Sequence, residues 1–333
     1  MHIQNNFDGL RLLGAMLVLV SHQFALSGRP EPHLVSSVSY GALGVLIFFS
    51  ISGYLVGKSW LKDPHPQRFA MRRLLRIWPG LAAVVLITTL GAFIATGTVA
   101  QPAYLANLLL LNIDGRFFPG NPLPHMNGSL WTIPLEILCY VALVALGVAS
   151  GARLRLVVLV LACVAGPLYM LLVGPLVESG AVRPGIRLLP YFSAFFFAGV
   201  LHAWRQPSAG TVALLCAAGA ASIAAKFNLL GLLLIVPATV IFIGTRSWPL
   251  LNQAGRFGDL SYGIYLWAWP VQQLGVLLLT KNQPLGLLLA LSVAGTLVLA
   301  WLSWHFIEKP ALQMKPAGSS LSPRAAALDG RAF

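Results

Sequence analysis

The chain has 333 residues, of which 9% are charged and 57% are apolar, and its 22 Lys and Arg against 9 Asp and Glu give a formal net charge of +13. A soluble domain carries roughly 25% charged residues because its core needs a polar surface to cover it, so this composition excludes a water-soluble globular enzyme and leaves lipid as the solvent. The basic residues sit in short gaps between apolar runs, which excludes a nucleic-acid-binding face and fits the positive-inside pattern of membrane proteins.

A membrane-spanning helix needs roughly 20 apolar residues. That ruler gives ten candidates, at 9–27, 38–57, 77–97, 129–149, 156–174, 188–203, 210–224, 228–245, 260–279 and 285–307. The fold expected is an all-α polytopic bundle of about ten transmembrane helices. The first has no basic cluster before it and further spans follow, so it is expected to stay in the mature protein. With the N-terminus inside, 16 Lys and Arg fall on the cytoplasmic side and 6 outside, which puts both termini in the cytoplasm. Residues 98–128 hold an apolar run too short to cross, YLANLLLLNI, and a Gly- and Pro-rich stretch expected as an outer loop over a cavity. The membrane domain is expected over 1–311, and 312–333, rich in Ala, Gly, Ser and Pro, as a disordered cytoplasmic tail. Cys139, Cys163 and Cys216 fall in apolar stretches with neither a disulfide nor a metal spacing, and are expected to pack.

An ionisable side chain inside a span costs several kcal/mol, so each one is a candidate functional group. Arg11 and His22 are eleven residues apart on the first helix, which returns to within about 20° of the same face with a rise of roughly 16 Å. Arg11 then stands at the inner mouth and His22 near the outer end, although a snorkelling anchor and a packing histidine are open alternatives. Asp8 is about 21 Å from His22 along a straight helix and instead pairs with Arg11. Glu136 lies roughly 10 Å below the outer surface, a depth that lets it meet His22. A carboxylate on one imidazole nitrogen would fix the tautomer and leave the other free to take a proton; a structural ion pair is the alternative for Glu136.

Arg72, Arg73 and Arg76, in MRRLLRIWP, either mark topology or join Arg11 in a cytoplasmic patch of guanidinium groups suited to phosphates. In FFSISG, Ser50, Ser52 and Gly53 permit close helix approach or form a ligand-facing wall. This arrangement suits a donor such as an acyl-CoA, with its phosphates on the arginines and its arm reaching toward His22. Neutral His22 would remove the proton of an acceptor hydroxyl as it attacks the thioester, with a covalent acyl-histidine as a second route.

From about residue 6 to residue 311 the chain resembles the acyltransferase 3 family, membrane-bound O-acyltransferases of cell-surface and secreted carbohydrates. Arg11 and His22 with ten residues between them, FFSISG at 48–53, Arg73-Leu74-Leu75-Arg76, NGSLWTIPLEILCY at 127–140, LSYGIYLWAWPV at 260–271 and FIEKP at 306–310 are similar to its motifs, in order. The resemblance implies that His22 is the catalytic histidine, that Arg11 and Arg73 with Arg76 are essential or bind the donor, and that acyl-CoA is a cytoplasmic co-substrate with no permanently bound cofactor. It also implies a multi-pass protein of the bacterial plasma membrane. Two departures stand out. Leu46 and Ile47 occupy the place before the two phenylalanines where many members have an acid, and Ala268 stands where many have a histidine. The extra C-terminal esterase-like domain of some members is not expected.

The leading expectation is therefore an enzyme moving an acyl group, acetyl first, to a hydroxyl of an envelope or exported carbohydrate or glycolipid. Arg11, His22 and Glu136 would be its catalytic residues, and Arg72, Arg73, Arg76 and Ser52 would bind the donor, with no metal. Its partners are the donor, the acceptor, the bilayer and glycan-synthesis proteins. A proton- or anion-coupled transporter using Arg11, His22 and Glu136 stays open, as does a structural anchor for a glycan-synthesis complex.

Overall fold

The computed structural model describes residues 5–35, 38–96, 102–111, 115–118, 120–173, 176, 189–249, 251–279 and 283–316. Of the disordered tail expected over 312–333, Leu312 and Gln313 are helical and the residues from 317 lie outside the described residues, as do Pro119 in the expected outer loop and Arg183, Arg187 and Lys281 of the outer basic count. Helix occupies each of the ten apolar stretches. In chain order the elements are α1 (Phe7–Leu26), a hairpin of β1 (His33–Val35) and β2 (Val38–Ser39), α2 (Tyr40–Lys62), α3 (Pro66–Thr96), a 3₁₀ segment (Pro102–Leu109) and α4 (Thr132–Ser150). Then come α5 (Leu154–Val160), α6 (Gly166–Leu172), α7 (Leu189–Leu201), α8 (Ala209–Ala224), α9 (Asn228–Gly244), α10 (Ser261–Leu279), α11 (Leu285–Ser303) and α12 (Lys309–Gln313).

Five helices are long and apolar enough to cross a membrane, and three shorter apolar helices accompany them among the described residues. Large side chains such as Leu86, Ile94, Leu214 and Leu278 are exposed on the outside, a surface that lipid solvates and water does not. The chain is a helical, multi-pass membrane protein.

Two elements depart from the expected spans. The third begins at Pro66 and not at 77. Its inner turns carry Arg68, Arg72, Arg73 and Arg76, charges that a search for apolar runs rejects, although Pro at the first helical position and good helix formers after it favour helix. The fifth is broken by a π turn at Leu161–Ala165 ahead of Gly166 and Pro167, so α5 and α6 follow one line with an irregular turn between them.

α1 packs on α2 and α10, and α2 packs most closely on α7. Small residues set these approaches. A Cβ on Gly44 would strike the Gly14 carbonyl, one on Gly53 the Phe196 carbonyl, and one on Gly199 the Ser50 carbonyl. The backbones of α2 and α7 therefore touch, which is how helices gain packing where lipid removes the hydrophobic drive between them. Ser50 and Gly53 thus serve that contact, with Ser50 donating to the Leu46 carbonyl at 2.8 Å. The segment before α4 is pinned on α10: Trp269 donates to the His125 carbonyl at 3.0 Å, and Gln273 to those of Leu123 and His125 at 2.7 and 2.8 Å.

Candidate active site

α1, α2, α3, α4 and the first turns of α10 enclose a cavity of about 120 Å³, lined on its polar side by Arg11, Ser52, Arg73, Arg76, Glu136 and Tyr140. That space admits waters or a thin chain. The FFSISG segment divides at this wall: Ser52 turns into the cavity while Ser50 and Gly53 face α7.

The arginines do not form one patch. Arg72 donates to Asp63 at 2.8 Å beside Arg68, whose two bonds to Asp63 measure 2.9 and 2.5 Å. The hydrogen bonds from Arg68 and Arg72 hold the Asp63 carboxyl well below the usual carboxylate range. Arg72 is thereby turned out of the cavity that it was expected to line. Arg11 pairs with Asp8 at 2.5 Å, as its spacing suggests, and also reaches Asp259 at 3.1 Å. Arg76 donates to the same Asp259 oxygen at 2.5 Å. Burial works against a charge on Asp259, yet Arg11 and Arg76 outweigh it and keep the carboxyl well below its usual range. Arg73 differs from all of these. It makes no ion pair among the described residues and its guanidinium lies over the Phe69 ring at 5.9 Å; its buried Nε lacks a hydrogen-bond partner, as do those of Arg11 and Arg72.

Glu136 does not meet His22. Its Oε1 accepts hydrogen bonds from Ser52 at 2.6 Å and from Tyr140 at 2.5 Å, and the two hydroxyls lie 2.9 Å apart. Each residue stands four residues, about 6 Å, from an end of its helix. Depth alone does not bring two helices together, however: the principal neighbours of α4 are α2, α5 and α7, not α1.

His22 is also outside the cavity. Along α10 the cavity wall ends at Tyr265, whose hydroxyl donates to the Ser129 carbonyl at 2.7 Å and lies 2.6 Å from the Thr132 hydroxyl. One turn further out, Trp269 meets the edge of the His22 ring with centroids 4.8 Å apart. Packed side chains therefore separate the inner arginines from the imidazole, where an open passage was expected. His22 Nδ1 is buried without a partner, as are Gln23 Oε1 on α1 and Gln272 Oε1 on α10. Unsatisfied buried acceptors are costly, and their concentration at this end marks a place where a polar ligand would be compensated.

Several of these residues escaped the reading of the sequence. Asp63 and Asp259 sit in loops just off the apolar runs, and only their partners reveal them; the one available signal was that few carboxylates exist to neutralise so many arginines. Asn127, in a glycosylation-like triplet, is structural: its amide donates to the Leu266 carbonyl at 2.9 Å. Of the cysteines only Cys139 is buried, and Cys163 is exposed on the outside. Among the described residues no group of three or more His, Cys, Asp and Glu is placed to hold a metal ion.

Residues 4–305 match an acyltransferase domain family. The chain belongs to that family. It is 33% identical to an O-acetyl transferase of Shigella phage Sf6, over 93% of this chain and 96% of the relative. It is 27% identical to nodulation protein 10 of Rhizobium leguminosarum bv. viciae, over 94% of each. It is 26% identical to the peptidoglycan O-acetyltransferase OatA of Listeria monocytogenes, over 92% of this chain and 55% of that one. No solved structure matches. The chain is thus a membrane acyltransferase, and the transporter reading is not favoured.

Proposed function

We propose that this acyltransferase carries an acetyl group from cytoplasmic acetyl-CoA to a hydroxyl of an envelope or exported carbohydrate, within the bacterial inner membrane. The names of the phage and Listeria relatives support O-acetyl transfer. The 16 to 6 split of basic residues supports a ten-helix crossing with both termini in the cytoplasm. Arg73 supports an anionic donor, since its guanidinium lines the cavity and makes no ion pair among the described residues, so that a ligand phosphate would balance it.

The observation that carries the chemistry is the buried, unpartnered Nδ1 of His22, held in place by the Trp269 ring. In this reading the neutral imidazole takes the proton of the acceptor hydroxyl as that oxygen bonds to the thioester carbon. The carbon–sulfur bond then breaks, and the imidazolium returns its proton to the leaving thiolate, giving the ester and free coenzyme A. The arm of the donor has to pass Tyr265 and Thr132 to reach this point, so a displacement of the Tyr265 side chain from Thr132 and Ser129 belongs to the cycle. Membranes of the producing cells, which hold the acceptor, supply the test. Transfer of labelled acetate from acetyl-CoA to carbohydrate is expected in the native chain and is lost in His22→Ala; a variant that still transfers removes His22 from the chemistry.

A further inference from the structure

The chain turns back on itself after α1. Gly28 takes a left-handed conformation, φ 70°, just past the helix end, and Glu31 follows at the foot of the hairpin. That foot is tied to α2: Tyr40 N–H donates to the Pro32 carbonyl at 3.1 Å, and the Ser39 side chain caps α2 by accepting from Ala42 N–H at 3.1 Å. The turn brings Glu31 back against the helix it has left. Ser21 Oγ donates to Glu31 Oε2 at 2.5 Å. Ser21 is fully buried and directly precedes His22, in space that Gly41 of α2 leaves open.

Glu31 is the carboxylate that the hairpin brings back to this part of α1, bonded to the residue that precedes His22. The others are engaged elsewhere: Glu136 with Ser52 and Tyr140, Asp8 and Asp259 with Arg11, Asp63 with Arg68 and Arg72, and Glu308 with Ser303. Nor does α2 supply a substitute. Leu46 is fully buried there, and the only charged residues of α2, Lys58 and Lys62, stand at its inner end.

We infer that Glu31, tethered by Ser21, is the positioning carboxylate of His22, contributed from the outer hairpin and not from the membrane-embedded helices. Its negative charge stabilises the imidazolium that forms as His22 takes the acceptor proton, an interaction stronger in the transition state than in the resting enzyme. It contacts neither donor nor acceptor and acts only through the ring. The inference rests on the reading of His22 as the base.

The test uses the full-length chain in membranes of the producing cells, with labelled acetyl-CoA as the probe and carbohydrate-bound acetate as the readout, normalised to protein present. Glu31→Gln is expected to lower kcat by about tenfold or more, while KM for acetyl-CoA stays within about twofold. Glu31→Asp, which keeps the charge, recovers a substantial part of that loss. Ser21→Ala, which frees the carboxylate without removing it, gives an intermediate kcat at native abundance. His22→Ala inactive with Glu31→Gln or Ser21→Ala at native kcat overturns this inference and leaves the proposed function standing. His22→Ala active overturns the proposed function itself. Should Glu31→Gln fail to accumulate, Ser21→Ala decides alone: native kcat in that variant refutes the role of Glu31.

Discussion

Arg11 and Arg76 reach the same carboxylate oxygen, Oδ2 of Asp259, at 3.1 and 2.5 Å. The first helix, the third helix and the entry to α10 are thereby closed on one another at their inner ends. Two of the cavity's guanidiniums are thus balanced by one protein carboxylate, and Arg73 beside them makes no ion pair among the described residues.

Asp259→Asn tests that closure. The substitution keeps the shape and removes the charge, leaving two guanidiniums facing each other in a largely buried place. Breaking such a pair costs about 3 kcal/mol. The expected result is a lower thermal midpoint in detergent, together with a larger stabilisation by added acetyl-CoA than the native chain shows, because the donor's phosphates take over the missing charge. A variant as stable as the native chain would mean that the bridge holds nothing together.

Arg72 and Arg73 are neighbours in sequence with opposite situations, and kinetics separates them. Arg73→Met should raise KM for acetyl-CoA by about tenfold with little change in kcat, the mark of lost binding that is equal in ground and transition states. Arg72→Met should leave KM within about twofold and instead lower stability, since it releases Asp63. Equal KM effects from both would restore the single four-arginine patch that the sequence suggests.

Gly53→Ala addresses the second motif. One added methyl meets the backbone of Phe196, which has no flexible side chain to move aside. Overpacking of this kind costs about 1–3 kcal/mol. The loss should appear as reduced thermal stability, while KM for the donor in the protein that does fold stays native. Ser52→Ala, one residue earlier and facing the cavity, should show the reverse pattern.

The helices were legible because a bilayer leaves few choices: backbone groups in lipid must be satisfied within a segment, so a long apolar run becomes a helix almost irrespective of its neighbours. Irregularities such as the π turn at Leu161–Ala165 and the inward extension of α3 were not, because hydropathy records neither helix register nor a charged turn outside the lipid. The same limit governs the site. Arg11 with Asp8 is a contact within one helix and follows from spacing, and the place of His22 and Glu136 along their own helices also follows. Which helix stands beside which does not, and so Glu136 went to Ser52 and Tyr140, and Arg76 to Asp259. Glu31 was illegible for a further reason. It lies outside the apolar runs, in a turn whose return to α1 depends on Gly28 and a two-stranded hairpin.

Lys315 carries the last prediction. It follows α12, which packs on the inner part of α3. Desolvation and the positive charges of Arg73, Arg76 and Arg72 push its ammonium down to about 8, against the pull of Asp259. The group is charged at pH 7 and neutral at pH 9, whereas the neighbouring arginines stay charged and the donor's phosphates are already ionised throughout. One positive charge near these arginines is therefore lost as pH rises through about 8. KM for acetyl-CoA should increase about fivefold between pH 7 and pH 9, the equivalent of roughly 1 kcal/mol. Lys315→Arg should abolish the dependence at low KM, and Lys315→Met should abolish it at high KM. A native chain whose KM is flat across that interval would place Lys315 away from the donor.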